Sequence, residues 1–197
     1  MQHPLGPMIQ ALQKLPSIGP KSSERLAFTL LSWSQQSIQE LADALVNTHK
    51  SIQYCQLCHN ICLNSPCSIC TDTQRNKSVL CIVAYPQDII AFSKLSLYQG
   101  LFHVLGGLIS PLDGIYPDML QLPSLEKRLA TTDFSEIIIA ISPTLEGDAT
   151  TLYLIEYLNL KRHHNVTRLA FGLAAGTQLD YADPLTIQKS LEYRQKI

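Results

Sequence analysis

The stretch VLCIVAYPQDIIAFSKL (Val79–Leu95) joins the two patterns that decide the fold. VLCIV (79–83) is a run of apolar residues of strand length, and QDIIAFSKL then reads as a helix. The alternation continues downstream. LFHVLGG (101–107) and EIIIAIS (136–142) are further strand candidates, TTLYLIEYL (150–158) reads as a helix, and VTRLAF (166–171) as another strand. Strands apolar on both faces and alternating with helices imply a mostly parallel sheet covered on both sides, an α/β domain. A last helix is expected from Asp183, a favourable N-cap, with Pro184 at the first helical position, to about Arg194.

Upstream the pattern changes. Over residues 8–53, Ile9, Leu12 and Leu15, then Leu26, Leu30 and Leu31, then Leu41, Leu45 and Ile52 recur at helical intervals. PSIGP (16–20) divides the first helix from the second. Around SWSQQS, Ser37 is expected to cap a third helix, with Glu40 three residues later completing a capping box. Residues 54–76 hold a cysteine module.

With 197 residues, 46% hydrophobic and 16% charged, the chain has room for one core plus small modules and is not disordered. No apolar run approaches the ~20 residues that span a bilayer, and the N-terminus lacks a secretory layout, so a cytoplasmic protein is expected. The net charge of −1 excludes a globally basic nucleic-acid binder. Residues 1–78 carry six Lys/Arg against four Asp/Glu, and residues 79–197 nine against twelve, so any DNA contact must come from local geometry in the N-terminal part.

Five of the six cysteines lie between positions 55 and 70. CQLC (55–58) and CSIC (67–70) are C-x2-C pairs separated by eight residues, the spacing that closes four thiolates around one structural zinc ion. Cys55, Cys58, Cys67 and Cys70 are the expected ligands. His59 and Cys62 are nearby alternatives, and Cys81, inside VLCIV, is a core residue.

PSIGPKSSER (16–25) places a helix start at Gly19-Pro20-Lys21, where unpaired backbone N–H groups and the helix dipole favour a phosphate. Lys21 and Arg25 lie one turn apart on one face and can reach adjacent phosphates; Gly19 and Lys14 complete the candidate DNA-contacting set. The same spacing also fits a plain hairpin with both basic residues in solvent. The segment resembles a helix-hairpin-helix motif, whose turn is G-x-G with a small residue four positions on. Here Ser17 replaces the first glycine, which is free of strain at negative φ and otherwise costs roughly 1 kcal/mol, and Ser23 occupies the small position.

YQGLFHVLGGLISPLDGIYPDML (98–120), SPTLEGDATTLYL (142–154) and VTRLAFGLAAGTQLDYADPLT (166–186), in order with the hairpin and the cysteines, closely resemble the RecR family. The resemblance covers nearly the whole chain. It implies a helix-hairpin-helix region at 1–53, a C4 zinc finger at 54–76, a Toprim domain of Rossmann-like topology at 77–165 and a C-terminal strand and helix at 166–197. It also implies a non-catalytic recombination mediator in DNA repair that binds DNA without sequence preference and acts with RecO and RecF to place RecA on gapped DNA. Self-association to a dimer or ring tetramer, with no membrane, is part of the same expectation.

Catalytic Toprim sites hold magnesium with a Glu after the first strand and a D-x-D-x-E run after a later one. Here Ala84 stands at the first position, and Ser142 and Thr144 replace the two Asp residues, leaving Glu146. Neutral groups at three of four positions weaken a hard-cation site severely. Ala84-Tyr85 also departs from the acidic residue expected of the family. A magnesium-dependent Toprim enzyme acting on DNA is therefore the second reading. Glu146, Asp148 and Asp88 are candidates for engaging a basic partner, or else simply cap helices, with Glu146 just ahead of a helix starting near Gly147. Gly106-Gly107 reads as a bend, His103 as a core histidine and His163-His164 as solvent-exposed, while Ser142 lacks a His partner at any motif spacing.

Overall fold

The computed structural model describes residues 3–93, 98–158, 165–170, 172–173 and 176–194. The chain divides into two compact units, residues 1–52 and 53–197.

The first unit is helical: α1 (Gly6–Leu12), α2 (Pro20–Leu31) and α3 (Gln35–Ser51). Ser23 and Ala27, both fully buried, form the inward seam of α2, and the Gln13 amide donates to Ser23 Oγ at 3.1 Å across the turn from α1. A larger side chain at either seam position would push the two helices apart. Helix α3 begins earlier than expected. Ser34 is the N-cap and accepts from the Ser37 N–H at 3.1 Å, while Glu40 accepts from Gln36 instead of closing a capping box. Two serines three residues apart compete for the cap, and the one preceding the helical residues Gln35 and Gln36 takes it.

The second unit opens with a short hairpin, β1 (Gln53–Tyr54) antiparallel to β2 (Ile61–Cys62), and the one-turn helix α4 (Ser68–Thr71). There follow β3 (Asn76–Val83), α5 (Pro86–Ser93), β4 (Gly100–Val104), α6 (Leu122–Thr131), β5 (Glu136–Ala140), α7 (Leu145–Tyr157), β6 (Asn165–Arg168) and α8 (Pro184–Glu192). The four strands β3–β6 pair in the order β4-β3-β5-β6, all parallel. Period-two alternation splits the apolar runs between two cores. Leu80, Ile82, Ile137 and Ile139 meet Leu125, Phe134 and Leu154 on one face; Cys81, Val83, Phe102 and Val104 meet Ile89 on the other.

The expected strand runs are trimmed at their C-terminal ends. β4 stops before Gly106, which turns at φ 85°, and β5 stops at Ala140. Helix α7 starts at Leu145, five residues before the apolar stretch that predicts it, because Thr144 caps it. At the C-terminus Asp183 accepts from the Thr186 N–H at 2.9 Å, as its N-cap position requires. His163 and His164, Lys94 and Leu95, and Phe171 lie outside the described residues. Among the described residues no helix is long and apolar enough to cross a membrane.

Candidate nucleic-acid interface and metal centre

In the hairpin, Gly19 is the extended N-cap of α2 (φ −83°, ψ 179°), Pro20 takes the first helical position, and no side chain caps the end. Lys21 and Arg25 are exposed. Arg25 lies two positions, about 200°, from both of the buried residues Ser23 and Ala27, and Lys21 lies two positions from Ser23, so the packed seam points both basic groups away from α1. Lys14 is exposed just beyond α1, whose C-cap is Gln13. Ser17 adopts φ 66°, the left-handed conformation for which the motif uses glycine, so the turn geometry survives the substitution at a conformational cost. A Cβ on Gly19 would meet nothing within 4 Å, so internal packing does not demand glycine there; the position is open to a group approaching the backbone from outside.

In the second unit the structure brings Cys55, Cys58, Cys67 and Cys70 together, their sulfurs all within 4.8 Å of one another. Cys58 and Cys67 Sγ are 3.5 Å apart, and Cys55 and Cys70 Sγ 4.0 Å. A tetrahedron with metal–sulfur bonds of about 2.3 Å has edges of about 3.8 Å, so the four thiols fit one soft divalent cation. The Cys67 N–H donates to Cys55 Sγ at 3.3 Å. Donating hydrogen bonds to its neighbours, together with burial, pushes the Cys58 thiol up, while Cys67, accepting them, is pulled down. A cation held by the cluster would favour the thiolate forms and so remove that asymmetry. Neither His59 nor Cys62 belongs to the cluster. The module is tied to the sheet by the Val104 N–H, which donates to the Cys58 carbonyl at 2.8 Å.

At the carboxyl ends of the strands the acids have other work. Ala84 is buried, and Thr144 Oγ1 accepts from the Gly147 N–H at 3.1 Å as the cap of α7. Glu146 therefore lies within the first helical turn, not ahead of it. Asp148, in the same turn, is ion-paired with Arg168 of β6. Asp88 Oδ2 accepts from the Tyr85 N–H at 2.8 Å, fastening the β3–α5 turn. Asp88, Ser142 and Arg168 line one cavity of about 280 Å³, and Glu146 is not part of it. Among the described residues the four cysteines are the only group of three or more potential ligands placed to hold a metal.

His103 is fully buried. Its Nε2 lies 3.1 Å from the Gln121 carbonyl, which can only accept, so Nε2 carries the proton and Nδ1 has no partner among the described residues. Burial lowers its pKa to about 3. Two arginines that pattern reading passes over finish the strand ends: Arg75 donates to the Gly100 carbonyl at 2.9 Å and Arg128 to that of Phe102 at 2.6 Å. Nothing in their local sequence marks them, because their partners lie 25 and 26 residues away.

A parallel four-strand sheet with neutral residues at three of its four metal positions, preceded by a helix-hairpin-helix unit and a four-cysteine cluster, defines a Toprim-class protein with appended binding modules. Family models agree: a Toprim domain matches residues 78–170, a RecR helix-hairpin-helix residues 5–49, and a RecR C-terminal segment residues 172–195. Proteins called recombination protein RecR from Staphylococcus aureus strains JH9, Mu3 and Newman are each 43% identical over 197 residues, covering 98% of both chains. The chain belongs to the RecR family.

Proposed function

We propose that this chain is a non-catalytic, DNA-binding mediator of recombination and repair in the cytoplasm. It grips DNA phosphates through Gly19, Lys21, Arg25 and Lys14, and one zinc ion on Cys55, Cys58, Cys67 and Cys70 holds the cysteine module in shape. The observation that carries the reading is the hairpin: a left-handed Ser17, an open Gly19 and two basic side chains turned outward from the Ser23–Ala27 seam. Such contacts are to the backbone, so binding is independent of base sequence and sensitive to salt.

One hairpin with two cations binds weakly. A dimer or ring tetramer places several copies on one DNA and multiplies the contacts through effective concentration. RecO and RecF are the proposed partners, with RecA loading on gapped DNA as the outcome. Glu146 remains the foremost acid for a basic partner, since Asp148 and Asp88 are engaged within the chain.

Lys21→Ala with Arg25→Ala is expected to weaken DNA binding and to flatten the dependence of log affinity on log salt, by up to ~0.9 for each duplex phosphate no longer neutralised. An unchanged slope in a salt titration counts against these residues. Incubation with supercoiled plasmid and Mg²⁺ is expected to leave it intact; nicking that disappears in Glu146→Gln would establish an enzyme instead.

A further inference from the structure

A second cavity, of about 670 Å³, lies where the cysteine module meets the carboxyl end of the sheet. Its walls come from three places: Tyr54 and His59 from the β1–β2 hairpin, Tyr85 and Gln87 from the β3–α5 turn and α5, and Met119 and Gln121 from the segment before α6. Val104, pinned to Cys58, is also part of the lining. Among the described residues no lysine, arginine, aspartate or glutamate contributes to the lining, so the cavity suits a neutral group.

Two features narrow the class of that group. Tyr54 and Tyr85 are 69% and 39% exposed, aromatic faces kept in solvent although each is held from the backbone side. Tyr54 sits in register with Ile61 across the hairpin, and the Tyr85 N–H is fixed by Asp88. The side-chain amides of Gln87 and Gln121, donors and acceptors both, have no partner among the described residues. His59 packs edge-on against the buried His103, ring centroids 5.6 Å apart, which sets it as a rigid wall. Exposed aromatic rings beside unpaired amides are what an unstacked nucleobase requires: a face to stack on and an edge to read. The volume falls within the range of small-ligand sites, about 300–1,000 Å³.

The geometry points to this cavity as a seat for a nucleobase extruded from single-stranded DNA, with Tyr85 and Tyr54 as stacking residues and Gln87 and Gln121 as hydrogen-bonding ones. The choice of DNA over a free nucleoside rests on the phosphate-gripping hairpin proposed above. The carboxyl end of β3 thus trades cation chemistry for aromatic chemistry: Ala84 supplies no carboxylate, and the next residue supplies a ring.

The full-length, metal-loaded protein tests this with an oligothymidylate, an abasic oligomer of equal length and a duplex, all at one salt concentration. Tyr54→Ala with Tyr85→Ala is expected to weaken oligothymidylate binding about 5- to 150-fold while leaving abasic and duplex binding unchanged. Tyr→Phe at both positions is expected to retain it. Gln87→Ala, at an exposed position on α5 where misfolding is not at issue, is expected to give a smaller loss with the same selectivity. Thymidine alone, followed by saturation-transfer NMR, is expected to contact the wild type and not the double variant. Equal affinity of the wild type for base-bearing and base-free strands, with no thymidine contact, overturns the proposal and leaves the hairpin reading standing; a cavity that seats an apolar side chain of a partner protein gives this result. Tyrosine-dependent thymidine contact without binding of any DNA does the reverse: the cavity stands, its source is the free nucleoside, and the hairpin reading falls.

Discussion

Ser17 shows how a residue can depart from a motif and still obey it. The turn needs a left-handed backbone, glycine supplies it without strain, and serine adopts it at φ 66° against a penalty of roughly 1 kcal/mol. Ser17→Gly is expected to stabilise the helical unit by about that amount, read from urea denaturation followed at Trp33, the chain's single tryptophan. His103 supplies the second prediction at this scale. Its native pKa of about 3 lies below the ~6.5 of an unfolded imidazole, so between those values the unfolded chain binds a proton that the native chain refuses. Stability from this group is complete above pH ~6.5 and is lost as pH falls towards 3, with a slope of up to about 1.4 kcal/mol per pH unit. His103→Leu is expected to flatten the profile relative to wild type under identical conditions, while the Gln121 carbonyl keeps its bond from Ser124. Parallel profiles for the two proteins would refute this. The burial of His103 is legible from its apolar neighbours; the φ of Ser17 is not, since serine is compatible with either sign.

At the scale of elements, Gly147 and Thr144 make the sharpest test. A Cβ on Gly147 would collide with the Ser142 carbonyl oxygen, and that oxygen belongs to backbone that cannot swing aside. Gly147→Ala is expected to cost about 1–3 kcal/mol, and Thr144→Ala, which removes the cap of α7, about 0.5–2 kcal/mol, both by thermal denaturation. A neutral result for both would mean that the start of α7 is held by something other than this turn. The strands are readable because a sheet covered on both faces leaves uninterrupted apolar runs, and Val79–Val83 and Glu136–Ala140 fall inside them. The start of α7 is not, because Leu145 and Glu146 precede its apolar stretch and only Thr144's hydroxyl marks the boundary. Helix α6 escapes pattern reading altogether, since Leu122 and Leu125, buried one turn apart, carry a helical spacing too short to stand out.

At the scale of the molecule, the cysteine spacing announces a site whose four sulfurs the fold gathers, whereas the tyrosine-walled cavity is invisible in the sequence because its walls come from segments up to 67 positions apart, Tyr54 to Gln121. The metal module has almost no apolar core besides its own buried cysteines, so the ion supplies what burial does not. Removing it with a chelator is expected to expose the amides of Cys55, His59 and Cys67 to hydrogen exchange, while those at the centre of β3 and β5 stay protected. Retained protection at all three would show that the module folds without metal. The amide of Val104 should follow the module and not its own strand, because its acceptor is the Cys58 carbonyl. A ligand-bearing residue is thereby also the latch on an edge strand. Oxidants or metal starvation would then slacken the rim of the Toprim sheet along with the small knuckle beside it, making ion supply a condition of the larger domain's integrity.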